Sequence, residues 1–173
     1  MTRNEIEPIQ DRIVLSSDLS EMRRVFPWIE ALASQYEIAE SLQFAINLCL
    51  EEAVSNVIRH GYANQAGSFI AVRFMVSSEG NLVFTIDDDA PQFNPLEAPT
   101  LPPFDEQGET RIGGHGLRLI LEFADTLEYE PTSTGNRLHI GFSKISPGRS
   151  RNPQVVDGSC GHNLGRAPIV SKE

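Results

Sequence analysis

The chain has 173 residues, 40% of them hydrophobic, and a formal net charge of −10, which fits one globular domain with a core of ordinary size. No apolar run reaches the roughly 18 residues a membrane helix needs, and the opening MTRNEIEPIQ lacks the apolar segment of a secretion signal, so a cytoplasmic location away from membranes is expected. Up to Ser143 the sequence carries nine arginines, no lysine and twenty-two acids, which argues against nucleic acid as a partner and rules out a Walker A loop or an ordinary protein-kinase site, each of which needs a lysine.

A short segment, 1–9, precedes the first element. Residues 11–17 read as a strand, and Asp18 or Ser20 can cap a helix with Leu19, Met22, Val25, Phe26, Ile29 and Leu32 on its apolar side, kinked or restarted at Pro27. A second helix spans about 40–60, with Gly61 as its stop. The strands FIAVRFMV and LVFTID follow, joined by a turn over 78–81. The proline-rich, acidic run from Leu96 to Ile112 has no periodicity and reads as a long functional loop. A third helix begins at GGHGLRLILEFAD, and TLEYE pairs with RLHIGF across a turn over 133–136. The last 28 residues, 146–173, are rich in Gly, Pro, Ser and Asn and predict a disordered tail. Cys49 and Cys160 offer neither a disulfide framework nor a metal motif and are expected to be free thiols. The order of elements predicts an α+β domain over 10–145, with helices on one face of a mixed sheet.

Three stretches can carry chemistry. In NLCLEEAVSNVIRHGY, Glu52, Asn56 and His60 stand four residues apart and share one line on the helix, among Leu48, Leu50, Val54, Val57 and Ile58. Glu52 could take a proton from an attacking hydroxyl and Asn56 could ligate a magnesium ion already held by phosphate. The plainer alternative is that the two edge a buried face and bond each other or water. In IDDDAPQFNP the two-residue period puts Asp88 on the buried side with Leu82, Phe84 and Ile86, where an adenine amino group is one partner for it. A triple-aspartate metal site or a solvated acidic turn is the alternative. In RIGGHGLRLI, glycines lead directly into a helix, so free N–H groups can meet an anion where absent Cβ atoms let it come close. A plain flexible linker would read the same way.

Taken in this order, the three stretches resemble the ATP-binding boxes of the GHKL ATPase superfamily, in particular its small bacterial branch of RsbW-type anti-sigma-factor serine protein kinases. The likeness spans roughly 10–143 and implies the Bergerat fold, a two-layer sandwich with helices on one face of a mixed, mainly antiparallel sheet. It implies Glu52 as catalytic base, Asn56 as ligand to Mg2+ and Asp88 as reader of the adenine of ATP. Gly114 and Gly116 match the phosphate-loop glycines, and Ala90, Phe93, Gly113, His115 and Leu117 complete the expected nucleotide-contacting set, beneath a mobile lid at the proline-rich run. Ala90 departs from the glycine often found there. By the same likeness the partners are a sigma factor and a STAS-domain antagonist phosphorylated on serine, and the chain forms a homodimer. The alternative function is a non-catalytic module that senses ATP or ADP and sequesters a regulator. The catalytic part of a histidine kinase ranks below both, since no phosphoacceptor helix is visible.

Overall fold

A computed structural model describes residues 10–97, 115–144 and 154–157. The elements are β1 (Asp11–Ser16), a 3-10 turn (Leu19–Glu21), α1 (Met22–Gln35), α2 (Glu40–Asn56), a π-helical turn (Val57–Gly61), β2 (Phe69–Val76) and β3 (Leu82–Asp88). A 3-10 turn (Pro95–Glu97), α3 (His115–Phe123), β4 (Thr126–Pro131), β5 (Asn136–Phe142) and β6 (Gln154–Asp157) follow. The sheet order is β1-β2-β3-β5-β4-β6. All pairs are antiparallel except β4 with β6, so the expected α+β sandwich is the architecture found.

Strict alternation divides the sheet into two faces. Ile70, Val72 and Phe74 on β2 and Leu82, Phe84 and Ile86 on β3 are buried under the helices, as the two-residue pleat requires. The centre of that layer is aromatic: Phe84 lies 5.1 Å from Phe74 and 6.1 Å from both Trp28 and Phe142, ring centre to ring centre. Val25, Ile29 and Leu32 of α1 and Ile46, Leu50 and Val54 of α2 close the core from above. The opposite face is polar along its centre. There Arg73 and Arg137 flank Asp87, with Arg137 Nε donating to its carboxylate at 2.6 Å, and Thr85 Oγ1 meets His139 Nδ1 at 2.9 Å.

Several expectations need correction. Leu19 and Phe26 are not core residues, being 40% and 38% exposed, because the chain enters as a 3-10 turn capped by Asp18, whose carboxylate accepts from the Ser20 amide at 2.7 Å. α1 runs through Pro27 without a break, although the ring removes one ladder hydrogen bond and crowds the carbonyl four residues back. The second helix does not stay α-helical to residue 60. From Val57 it winds as a π turn closed by the Tyr62 amide on the Val57 carbonyl at 2.9 Å. Within the tail expected to be disordered, Gln154–Asp157 forms β6 beside β4, and the rest of that tail lies outside the described residues, as do Cys160 and the lid loop beyond Glu97.

Candidate functional site

The site lies between the C-terminal half of α2, the start of α3 and the end of β3. α3 packs antiparallel to α2: its first turn meets Glu52 and Asn56, and its last residue, Phe123, has its ring 6.4 Å from that of Phe44. The decisive contact is at Gly116. A Cβ there would lie 2.5 Å from Glu52 Oε2 and 3.1 Å from Asn56 Nδ2, so the two polar side chains occupy the space a side chain on Gly116 would need. Glu52 and Asn56 are half-buried and form no side-chain hydrogen bond with each other or with another described residue. Mutual bonding, one of the alternatives, is therefore not what holds them. His60 leaves the line, because the i+5 winding of the π turn shifts its phase, and it is exposed.

Each of the three aspartates has its own environment. Asp87 is paired with Arg73 and Arg137 on the polar face. Asp88 is half-buried on the helix side, where its Oδ1 accepts from the Ala90 amide at 3.0 Å and from Asn136 Nδ2 at 2.8 Å. Burial raises its carboxyl above the ordinary carboxylate range, and those two donors pull it partly back. Asp89 accepts from the Tyr62 hydroxyl at 2.5 Å, while its own N–H donates to the same hydroxyl oxygen at 3.1 Å. No cluster of three or more His, Cys, Asp or Glu suited to a metal ion occurs among the described residues, so the triplet does not act as a joint ligand set.

Ala90, the departure from glycine, is buried. Its methyl faces Gly61 at the end of the π turn, where an added Cβ would come within 2.9 Å of it. The missing side chain at Gly61 thus makes room for the one at Ala90. Phe93 does not join the buried part of the site; its ring is 61% exposed, although its N–H donates to Asn136 Oδ1 at 2.9 Å. Leu117 packs partly buried against the core. Gly113 and Gly114 lie outside the described residues, and of His115 only its place as the first residue of α3 is described.

Two residues that sequence reasoning missed complete the site. Asn136 stands opposite Asp88 in register, and Gly135 packs so closely under it that a Cβ would sit 2.0 Å from the Asp88 carbonyl oxygen. Both read as ordinary turn residues in TSTGN, and only the β3–β5 pairing gives them a role. A separate concavity of about 330 Å³, lined by Ser77, Asn81, Val83, Thr126 and Phe142 among others, lies toward the other end of β3 and gathers none of these residues.

Known proteins give an independent comparison. A family model described as a histidine kinase-like ATPase domain matches residues 15–142. The serine/threonine-protein kinase BtrW of Bordetella bronchiseptica is 25% identical over 130 residues, which make up 74% of this chain and 89% of that protein. Among solved structures, the RsbU and RsbW domains of a Mycobacterium tuberculosis protein superpose with a TM-score of 0.52 at 15% identity, over 85% of this chain and 35% of that one. That last likeness is one of fold.

Proposed function

The chain belongs to the histidine kinase-like ATPase domain family, and from that footing we propose that it is an ATP-binding serine/threonine protein kinase of the anti-sigma type. In this reading it phosphorylates a STAS-domain antagonist, binds a sigma factor in exchange, and works as a cytoplasmic homodimer. The name of the Bordetella relative supports the kinase reading. No helix among the described residues is long and apolar enough to cross a membrane.

The observation that carries the reading is the convergence at Gly116. Residues from the first and third stretches, separated by some sixty positions in sequence, meet within a few ångströms, and the glycine lets a carboxylate and an amide with no other described partner come up against the start of α3. A carboxylate and an amide oxygen side by side are donors that suit a phosphate-bound magnesium ion. Asn56 would be its ligand, and Glu52 would accept the proton of the attacking hydroxyl. When bound, magnesium would neutralise charge on the phosphates. Backbone N–H groups at the start of α3 stand in for the lysine that the body lacks. Asp88 offers its second oxygen to the purine amino group.

The test is transfer of label from ATP to a STAS-domain partner by the wild-type chain and by Glu52→Gln, with nucleotide binding measured alongside. Transfer that is lost in the variant while binding persists supports the kinase. Transfer undiminished by the change would remove Glu52 from its role. Nucleotide-dependent capture of the partner without any transfer would leave the non-catalytic sensing module.

A further inference from the structure

Asn136 belongs to none of the three stretches, yet its side chain is the most heavily used polar group of the site. One Nδ2–H donates to Asp88 Oδ1 at 2.8 Å, and the other is shared between the Ala90 carbonyl at 3.2 Å and the Pro91 carbonyl at 3.3 Å. Its Oδ1 accepts from the Phe93 amide at 2.9 Å and from the Tyr129 hydroxyl at 2.8 Å. An asparagine amide has two N–H bonds and two acceptor lone pairs, so this one is saturated inside the protein. It has nothing left with which to touch a ligand. What it does instead is fix the Asp88 carboxylate and the turn from Ala90 to Phe93 as one unit.

The consequence falls on Asp88. Both of its donors, Asn136 Nδ2 and the Ala90 amide, sit on Oδ1, and Oδ2 has no donor among the described residues. We infer that Asn136 is a specificity-determining positioning residue: by occupying Oδ1 it leaves Asp88 a single free acceptor, which suits a purine bearing an amino group and repels one bearing a carbonyl. A carboxylate freed of that donor can rotate or take up a proton, and a protonated carboxyl donates to a carbonyl as readily as an ionised one accepts from an amine. The inference rests on the nucleotide reading above.

Affinities of the full chain for magnesium ADP and magnesium GDP test it, in wild type, Asn136→Asp, Asn136→Ala and Tyr129→Phe, with thermal unfolding of the free proteins alongside. Asn136→Asp keeps the shape but puts a second carboxylate against Oδ1. We expect it to lower the ADP-over-GDP preference by roughly tenfold or more, the scale of one hydrogen bond to a charged group, and to shift the rise of ADP binding with pH to higher pH than in wild type. Asn136→Ala should erode the preference in the same direction, and Tyr129→Phe, which removes the bond behind the amide, should do so more weakly. If Asn136→Asp does not fold, the other two variants carry the test. A loss of affinity equal for both nucleotides, or an unchanged preference, would overturn the inference and leave the nucleotide reading standing. A wild-type chain with no preference for ADP would overturn both.

Discussion

Glu52 occupies the space that a side chain on Gly116 would fill: the missing Cβ would stand 2.5 Å from its Oε2. The atoms in the way are the tips of flexible side chains, not backbone, so a substitution at Gly116 acts on the site before it acts on the fold.

Gly116→Ala should therefore separate binding from stability. Alanine is the better helix former by about 1 kcal/mol in a helix interior and by less in the first turn, where Gly116 stands, so the unfolding temperature of the free protein should hold or rise slightly. Affinity for magnesium ADP should fall at least tenfold as Glu52 and Asn56 are pushed aside. Calorimetric titration with parallel thermal scans reads both.

Gly135→Ala should do the reverse. The added methyl meets the Asp88 carbonyl oxygen at 2.0 Å and the Asp89 Cα at 2.6 Å, and neither can yield without moving β3. Overpacking of this kind typically costs about 1–3 kcal/mol. Chemical denaturation should show that loss in the absence of any nucleotide.

Asp88→Asn exposes the cost of keeping a carboxylate half-buried. Because burial raises its folded-state pKa, the native state holds the proton more tightly than the unfolded chain. The contribution of this group to stability is therefore full below the ordinary carboxylate pKa and is lost as pH rises through the folded one. Removing the charge should leave the free protein as stable as wild type or more so at pH 7, with the difference shrinking toward pH 4, while adenine nucleotide binding is lost. Thermal unfolding across that range, with nucleotide titration at pH 7, tests both halves.

Asp87→Asn is the control one residue away. It weakens the Arg73 and Arg137 pairs on the polar face. These groups are part-exposed, so about 1 kcal/mol of stability should be lost. Nucleotide affinity should not change, and a fall in affinity comparable to that of Asp88→Asn would mean the two faces are not independent.

Cys49 should be inert in the folded protein. Burial, and then the nearby Glu52 charge, pushes its thiol up to about 12, and the side chain has no exposed surface. In a Cys160→Ser background, labelling by a thiol reagent at pH 8 should follow global unfolding. Rapid labelling under native conditions would show that the core around α2 opens locally.

Most of the sheet was legible in the sequence, because alternation over Phe69–Val76 and Leu82–Asp88 sets both strand and face. The placing of Asp88 beside Ile86 and Phe84 follows from the same period. The π turn was not legible: one extra residue per turn leaves the spacing of Val57 and Ile58 looking helical, and only the Tyr62 to Val57 bond reveals it. β6 was hidden because four residues in a glycine- and proline-rich stretch have no period to read, and their pairing with β4 is a long-range fact. Asn136 was hidden for a related reason. Ser, Thr, Gly and Asn in a row are what a turn requires, and nothing local says that the last of them will face Asp88.

The aspartate triplet also bears on how this protein tolerates change. Three identical side chains in succession serve as a structural counter-ion, a buried acceptor and a partner to a tyrosine, and nothing in their chemistry tells them apart. Only the pleat does, so a one-residue slip of β3 against its neighbours would put Asp89 where Asp88 was and Asp88 between the two arginines. Residue type would survive such a slip intact, and what would be lost is the depth of the Phe84 and Ile86 side chains. The identity of the acceptor is thus stored in two aliphatic and aromatic neighbours that never approach a ligand.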